Sequence, residues 1–323
     1  MANTTAGSLW NLPNLAGALF TPSLVQTPFL DRISMSGDVQ TPEFAMSSSY
    51  DMEAASQPAI TETTSLTAPT AVSYVRSNEK NVAQIFQSQV SLSYANMSAN
   101  ARMQRVEVST SGLAYDEAGN NPVANEEAFQ IQKHFDQMKM DMEYTFLNGS
   151  YQLATSAAVA FKTRGIITGS TTNTVAASNA DIDRDIMDEL FKEMANNGAF
   201  SQGGSHTIMC NVHNKVKLSR IYEYVPPSRT EGGSNIGSIM TDFGIFDIVY
   251  VPNVPAATIL VANMSKCGIV FQPVANKPAG ENRVILEDLA KTGAANSKQL
   301  YTQAGIDYGS SYFHGTITGT STS

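Results

Sequence analysis

The spacing of apolar residues divides the chain into stretches with different predicted structures. Residues 1 to 37 are mostly polar, and Pro13, Pro22 and Pro28 interrupt any long helix. The scattered apolar residues of this segment are too few to form a core of their own. We therefore expect residues 1 to 37 to form an arm that packs on other structure.

Residues 38 to 95 are rich in Thr, Ser and Ala and contain runs typical of strands. Two such runs, Val72 to Val75 and Val82 to Phe86, flank the polar sequence SNEKN, which predicts a β-hairpin with its turn in SNEKN. The following sequence, QVSLSY, alternates, and its apolar face consists of Val90, Leu92 and Tyr94. An isolated hairpin is only marginally stable, so this region is expected to need a neighbour.

A long helix is predicted from about residue 125 to residue 148. Asn125 is a good N-cap, and Glu126 and Glu127 follow where the helix dipole favours acids. One apolar stripe consists of Ile131, Phe135, Met138, Met142 and Phe146, and a second consists of Met140, Tyr144 and Leu147. Gly149 is expected to end the helix in the left-handed conformation. We interpret the methionines as adaptable packing in a structural rod that meets neighbours on two sides.

Helix and strand patterns alternate between residues 181 and 264. A helix with an acidic first turn ends at Asn197-Gly198, and the apolar sequence TIMCN predicts a buried strand after it. A helical stretch, the long loop PPSRTEGGSNIG and two more strands, DFGIFDIVYV and ATILVAN, complete the unit. The pattern predicts a compact mixed α/β unit in an α+β protein whose remaining residues return to short strands.

The charge of the chain excludes one class of function. The formal net charge is −9 and the pI is about 4.9. Proteins that grip nucleic acid are normally basic, because contacts with phosphate groups supply most of the affinity. Sequence-specific nucleic-acid binding is therefore not expected. Charged residues make up only 15% of the chain, against about a quarter in typical globular proteins, which is common where copies bury large areas against each other.

Cysteine usage and hydropathy indicate the compartment. Cys210 and Cys267 cannot form a disulfide framework and suit a reducing environment. The first positive charge is Arg32, so no basic signal region is present, and no run reaches the roughly 18 apolar residues of a membrane span. The sequence predicts a soluble, cytosolic protein without membrane contact.

Residues with catalytic or metal-binding chemistry do not form a recognisable motif. The best metal candidate is His206, Cys210 and His213, but strand alternation puts His213 out of phase with the other two, which favours a buried strand with a core cysteine. An acidic trio at Asp181, Asp183 and Asp185 is interpreted as a solvated helix start. GGSNIG lacks the glycine that a nucleophile elbow requires at position 236. We expect no catalytic residue, no metal and no cofactor.

Five short sequences carry a resemblance to a known family. They are Thr27-Pro28-Phe29 with a short helix after it, VAQIFQSQVSLS, DMEYTFLNG, LAKTG at Leu289 to Gly293, and HGTITG near the end. In this order and spacing the chain resembles a tailed-bacteriophage major capsid protein. That family has a shell fold named after phage Hong Kong ninety-seven, which it shares with encapsulins.

The resemblance implies an assignment of each region. It comprises an N-terminal arm (1–37), an extended loop reaching over an adjacent subunit (38–95), a peripheral domain (96–180 and 265–323) with a spine helix at about 125–148, and an axial domain (181–264). Head-to-tail contacts between identical subunits close into rings, here pentamers and hexamers of an icosahedral head around double-stranded DNA.

The resemblance also implies contact residues and partners. Candidate assembly-interface residues are Phe29, Arg32, Tyr74, Arg76, Glu79, Lys80, Arg229 and Glu231. Expected partners are other copies of the chain, a portal protein, scaffolding or decoration proteins, and packaged DNA contacted non-specifically. The protein would be assembled in the host cytoplasm and found in the virion.

Two other functions are weighed against this one. The first is an encapsulin-like compartment, which has the same shell fold but encloses a cargo enzyme. The second is a small-molecule enzyme with its site in residues 181–264, which would require a cluster of titratable residues in a cleft. The sequence shows no such cluster.

Overall fold

A computed structural model describes most of the chain: residues 26–49, 55–74, 77–95, 105–109, 112–116, 126–201, 203–222, 236–278, 280–291 and 293–322. The predicted arm before Gln26 and the first ten residues of the loop PPSRTEGGSNIG lie outside the described residues. Predictions about those segments are therefore not compared with the structure.

The described part of the chain contains 15 strands and five α-helices. The strands are β1 (Ser34–Asp38), β2 (Glu43–Ser49), β3 (Ser77–Val82), β4 (Gln84–Ser93), β5 (Arg105–Ser109), β6 (Gly112–Asp116), β7 (Asn173–Ala176), β8 (His206–Cys210), β9 (Ser238–Thr241), β10 (Gly244–Tyr250), β11 (Thr258–Asn263), β12 (Gly268–Phe271), β13 (Val284–Asp288), β14 (Ala295–Asp307) and β15 (Gly315–Thr318). The α-helices are α1 (Glu62–Ser65), α2 (Glu126–Asn148), α3 (Ile166–Gly169), α4 (Arg184–Asn196) and α5 (Val212–Ile221), with 3₁₀ turns at Met264–Lys266 and Ser311–Phe313.

A five-stranded sheet is organised around the long strand β14. Its order is β1-β12-β14-β13, and β4 pairs with β14 over ten residues. The pairing of β1 with β12 is parallel and the other pairings are antiparallel. One face carries Phe86 and Leu300, which belong to the same core as the spine helix α2. The alternation predicted for QVSLSY is confirmed for Val90 and Leu92, which are buried, whereas Tyr94 lies beyond the strand and is exposed.

A six-stranded sheet of order β7-β15-β11-β8-β10-β9 forms the second layer. Its central strands are buried on both faces. In β8, Ile208 and Cys210 pack in a core shared with α4 and α5, whereas Met209 packs in the spine-helix core on the other face. The strands and helices predicted between 181 and 264 are present, but β7 and β15 join this sheet from outside that range.

The spine helix α2 runs over 23 residues, as predicted. Met138, Met142 and Phe146 are buried in its C-terminal half, which confirms this part of the first predicted stripe. The predicted second stripe is wrong at Tyr144, which is exposed. Leu147 is buried but joins the same core as Phe146. The C-terminal half of the helix therefore has one broad buried face.

Gly149 ends the spine helix for a different reason from the predicted one. Its φ is not positive, so the left-handed ending is wrong. A Cβ atom at this position would lie 2.4 Å from the carbonyl oxygen of Thr163 and 2.5 Å from that of Thr145. The chain after Lys162 passes directly against the helix end, and Gly165 N–H donates to the carbonyl of Gly149 at 2.8 Å. Glycine is required here by close approach of two backbones.

The predicted hairpin in residues 72–86 is wrong. SNEKN is not a turn but most of strand β3, which pairs antiparallel with β2, about 35 residues earlier. Strand β4, predicted as the second arm of the hairpin, lies in the five-stranded sheet. The local pattern misled because the polar side chains of β3 have partners distant in sequence, described below.

The predicted end of α4 at Asn197-Gly198 is confirmed, since Gly198 follows the helix with φ +75°. Asp183, from the predicted acidic start, is the N-cap of α4 and accepts from the N–H of Ile186. Asn211 caps α5 through the N–H of Asn214, which was not predicted. In the part of the chain that the structure describes, no helix is both long enough and apolar enough to cross a membrane.

Candidate assembly interface

The strands β2 and β3 form a two-stranded ribbon, and the described part of the segment that connects them is exposed. Every residue from 55 to 74 is exposed, and the short helix α1 buries none of its residues. We call residues 55–74 the ribbon tip. It carries large apolar side chains, with Leu66 84% and Ile60 70% exposed, and only one charged residue, Glu62. An extension of this composition has no core within its own subunit and is suited to contact another surface.

The other end of the ribbon, the ribbon root, is held by buried polar contacts. Glu79 accepts hydrogen bonds from the hydroxyl of Ser310 at 3.1 Å and from the N–H and hydroxyl of Ser311, each at 3.2 Å. The guanidinium of Arg164 lies 4.0 Å from the same carboxylate and donates to the Tyr308 hydroxyl at 2.6 Å. Glu79 is thus bound to the segment that follows β14.

Asn81 completes the ribbon root. It is fully buried and donates to the carbonyls of Arg164 at 3.0 Å and Ile306 at 2.8 Å, while its own carbonyl accepts from the N–H of Arg164 at 2.7 Å. Gly305 lets the ribbon pass close by, since a Cβ there would lie 2.8 Å from the Val82 carbonyl oxygen. These contacts fix the direction in which the ribbon leaves the body.

The described part of the arm is attached to its own subunit. Phe29, one of the predicted contact residues, is fully buried in the spine-helix core of its own subunit. The N–H groups of Phe29 and Leu30 donate to the Glu143 carboxylate at 3.2 and 3.3 Å. Burial raises the pKa of Glu143 to about 7, against the opposing effect of these two hydrogen bonds.

The remaining predicted contact residues have different surroundings. Arg32 lies 3.9 Å from Asp247 in an exposed ion pair, and Lys80 lies 3.3 Å from Glu43 at the base of the ribbon. Tyr74 is exposed on the ribbon tip. Glu79 belongs to the ribbon root, as described above. Arg76, Arg229 and Glu231 lie outside the described residues.

A second exposed apolar region lies at the edge of the six-stranded sheet. Met240 on β9 and Ile245 on β10 are directly opposite each other and are 83% and 62% exposed. At the turn between them, Phe243 stacks on Phe200 with ring centroids 5.3 Å apart. Sequence reasoning assigned these strands without noticing this surface, although the alternation in SIMTDFGIF would have shown one uncovered face.

The helix α5 also presents apolar residues to solvent. Val212 and Val216 are exposed one turn apart, and Arg220 follows after another turn. Leu218 on the opposite side of the helix is buried in the core beneath the sheet. The helix therefore packs by one side and leaves an apolar and basic stripe uncovered.

The metal candidate of the sequence is a packed strand. His206 is buried against the rings of Phe200 and Phe246, and burial raises the pKa of the Cys210 thiol to about 12. Asp183 is occupied as a helix cap, and Asp181 pairs with Lys217 at 2.6 Å. Within the described ranges, no three His, Cys, Asp or Glu side chains come together as metal ligands would.

A buried histidine supports the segment that holds the ribbon root. The Nε2–H of His314 donates to the Tyr308 carbonyl at 2.6 Å, and its Nδ1 accepts from the N–H of Asn263 at 3.2 Å. The bond accepted at Nδ1 requires the neutral ring. Burial lowers the pKa of His314 to about 4, against the opposing effect of the bond to the Tyr308 carbonyl. The side chain thereby joins the end of β11 to the chain after β14.

A cleft in the mixed unit has a volume of about 400 Å³ and lies between α4, the end of α5 and the β9–β10 turn. Its charged residues are Arg184, Asp188, Lys192 and Asp242. Arg184 pairs with Asp188 at 3.8 Å on the helix surface. The cleft thus contains surface charges and no nucleophile–base pair within hydrogen-bonding distance.

Comparison with known proteins identifies the architecture. The sequence profile of the SU10 major capsid protein family matches residues 2–321. No curated protein sequence matches the chain. Among solved structures, the fold is similar to the capsid asymmetric unit of cyanophage A-1(L), with a TM-score of 0.65, 10% identity and 97% coverage of each chain.

Two further structures show the range of proteins with this fold. The chain is similar to the holo-SrpI encapsulin complex of Synechococcus elongatus PCC 7942, with a TM-score of 0.56, 12% identity and coverage of 100% of this chain and 97% of that one. It is also similar to the Mycobacterium phage Che8 structure, with a TM-score of 0.55, 10% identity and coverage of 95% and 97%. At these identities the structural likeness establishes the fold, which is Hong Kong ninety-seven-like.

Proposed function

The chain belongs to the SU10 major capsid protein family, and on that premise we propose that it assembles head to tail into pentamers and hexamers of an icosahedral head. The head would enclose the double-stranded DNA genome of a tailed phage. The observation that carries the proposal is the ribbon tip, a 20-residue extension with exposed Ile60, Leu66, Val72 and Tyr74 and no core of its own.

The ribbon supplies the physical reason for assembly. In the free subunit every residue of the ribbon tip is exposed to water, so none of its apolar surface is buried within its own chain. Burial of this apolar surface against a neighbour stabilises the contact by about 25 cal/mol for each Å² removed from water. Each contact can be modest, since contacts around a ring reinforce one another through effective concentration. The polar ribbon root keeps the tip directed away from its parent subunit.

The regional assignment follows from the same reasoning. We assign residues 1–37 to an arm, the ribbon and its tip to the loop that reaches a neighbour, the spine helix with the five-stranded sheet to a peripheral domain, and residues 181–264 with β7 and β15 to an axial domain. Phe29, Leu30 and Ile33 of the arm pack in the core of their own spine helix. We infer that the arm contacts a neighbour through residues before these and through exposed side chains such as Arg32.

The partners beyond the chain itself are also proposals. We infer a portal protein at one vertex, with scaffolding or decoration proteins as further candidates, assembly in the host cytoplasm and a final place in the virion. A formal charge of −9 favours a wall that contacts packaged DNA weakly and without sequence preference.

An encapsulin-like compartment is the alternative with specific support, because the SrpI encapsulin complex shares the fold over the whole chain. Family membership favours the capsid, since the matching profile is that of a phage capsid protein. A small-molecule enzyme has no comparable support, because the family is structural and the described cleft lacks paired catalytic groups.

The test is the product of expression. The purified protein is expected to form closed particles of megadalton mass, seen by light scattering and electron microscopy. A stable monomer under all solution conditions would contradict the proposal. Particles recovered from infected or expressing cells then separate the two shell functions: nuclease-protected DNA supports the capsid, and an enclosed enzyme supports the compartment.

A further inference from the structure

Two exposed apolar patches of the six-stranded layer remain without a covering element among the described residues. The first, which we call the hairpin patch, consists of Met240, Asp242 and Ile245. The two apolar side chains are cross-strand partners, and Asp242 is exposed in the turn that joins their strands. The second, which we call the helix stripe, consists of Val212, Val216 and Arg220 on α5.

The apolar side chains of both patches lie opposite buried ones. Ile239 and Phe246, which alternate with the hairpin patch along β9 and β10, point into the core shared with α4 and α5, so the side chains of Met240 and Ile245 project from the opposite face of their strands. The helix stripe lies on the side of α5 away from the buried Leu218. Within the chain, Met240 and Asp242 line the same cleft as Ile221 and Tyr222 at the end of α5. The apolar side chains of both patches are nevertheless exposed and open to a second copy of the chain.

Their charges are complementary. Strands β9 and β10 and their turn contain Asp242 and Asp247 and no basic residue, whereas α5 contains three basic residues and no acidic one. Two of those cations are occupied within the chain: Lys215 donates to the carbonyls of Ile236 and Ile248, and Lys217 pairs with Asp181.

The remaining charged side chain on each side has no close partner. Among the described residues, the side chains of Arg220 and Asp242 make no hydrogen bond and no ion pair within 4.0 Å, although Asp242 shares its cleft with Arg184 and Lys192. An exposed aspartate beside two apolar side chains thus matches an exposed arginine beside two others. Opposite charges next to apolar contacts fix which surfaces meet and in which register.

We propose that the hairpin patch of one subunit docks on the helix stripe of a second copy of the chain, with Asp242 against Arg220 and Met240 and Ile245 against Val212 and Val216. The contact is heterologous, so successive copies continue in one rotational sense and close into a ring. The proposal rests on the proposed shell function and identifies a contact that sets the neighbour relationship within each ring.

Charge exchange tests the proposed pair. Asp242→Arg and Arg220→Asp are each expected to reduce particle yield at least tenfold, because each places like charges together, and the double variant is expected to restore yield to within about twofold. Glu189→Arg is the matched control, since Glu189 is exposed on α4 in the same layer and belongs to neither patch. Yield is measured by light scattering and electron microscopy, and thermal melting confirms that each subunit folds.

Single variants that assemble like the wild type, or a folded double variant that fails to recover, would overturn the proposed contact. Assembly failure of the wild-type chain would instead overturn the shell function, so the two failures are distinct.

Disulfide trapping is the second measurement. Met240→Cys and Val216→Cys are combined in one chain, whose native cysteines are both buried and so do not compete. Mild oxidation of assembled particles is expected to give a ladder of covalent oligomers on a denaturing gel, and either single variant is expected to give none. Formation of particles without covalent oligomers in the double-cysteine chain would also overturn the contact.

Discussion

The two ends of the ribbon invert the usual relation between polarity and burial. The ribbon tip is apolar and exposed, whereas the ribbon root is polar and buried, with Glu79 and Asn81 satisfied by the chain after β14 and by Arg164. A buried polar group is tolerated only when it is fully hydrogen-bonded, which makes the root specific in geometry. The ribbon root therefore has its contacts within its own subunit, whereas the ribbon tip has an exposed apolar surface suited to a neighbouring subunit.

Replacement of the ribbon tip is expected to have the largest effect on assembly. A Gly-Ser linker in place of residues 55–74 is expected to lower particle yield at least about a hundredfold, since every linked contact of the ring is lost. The free energy of unfolding of the subunit should change by less than about 0.5 kcal/mol, because the tip buries nothing within its own chain. Glu62→Gln is the control and should assemble normally. Normal assembly with the linker would show that the tip is dispensable.

Asn81→Ala tests the ribbon root. The substitution leaves two carbonyls and two N–H groups without the Asn81 side chain as their partner in the interior, so the free energy of unfolding should fall by about 2–4 kcal/mol in chemical denaturation. Gln57→Ala removes an exposed amide from the tip and should change the same quantity by less than about 0.5 kcal/mol. Equal effects at the two positions would abolish the distinction between root and tip.

Low pH should lower the free energy of unfolding through protonation of His314, which holds the segment bound to the ribbon root. Its folded pKa of about 4 lies below the ordinary value of 6.5, so the unfolded chain binds the proton more readily. The stability contributed by the neutral ring is therefore complete above about pH 6.5 and is lost as the pH falls towards 4, by up to roughly 3 kcal/mol.

The measurement is the unfolding free energy of the wild type and of His314→Gln between pH 4 and 8. Glu143 opposes this trend, because its raised pKa makes stability fall as the pH rises through about 7. That effect is common to both proteins and cancels in their difference. A difference that does not change between pH 6.5 and pH 4 would show that His314 is not held neutral.

Lys80→Ala should have the smallest effect. The Lys80–Glu43 ion pair is exposed at 3.3 Å, and such pairs contribute little because water and salt screen them. The free energy of unfolding should fall by less than about 0.5 kcal/mol, and the loss should vanish in 1 M salt. A loss above 1 kcal/mol would mean that the root depends on this charge as well as on its buried polar groups.

The parts of the fold that the sequence predicted are those with local causes. The spine helix, α4, β8 and α5 each have their apolar pattern within their own residues, and each was predicted close to its observed bounds. The family resemblance also rested on order along the chain, and the match over residues 2–321 confirms it.

The errors have distant causes. SNEKN reads locally as a turn, but Asn81 and Glu79 are satisfied by residues more than 80 positions away, which makes this polar sequence a strand. The surroundings of Phe29 also depend on distant residues, because its ring packs in the spine-helix core and its N–H donates to Glu143, 114 positions away. Gly149 follows a helix, as many C-terminal glycines do, yet its role depends on the approach of Thr163.

Hydrogen exchange of the ribbon tip, compared between free subunits and assembled particles, tests the central claim most directly. Backbone amides of residues 55–74 are expected to exchange almost freely in the subunit and to gain strong protection in the particle, while Asn81 and its neighbours on β3 are protected in both states. Tip amides that exchange equally fast in both states would show that no neighbouring subunit covers the ribbon.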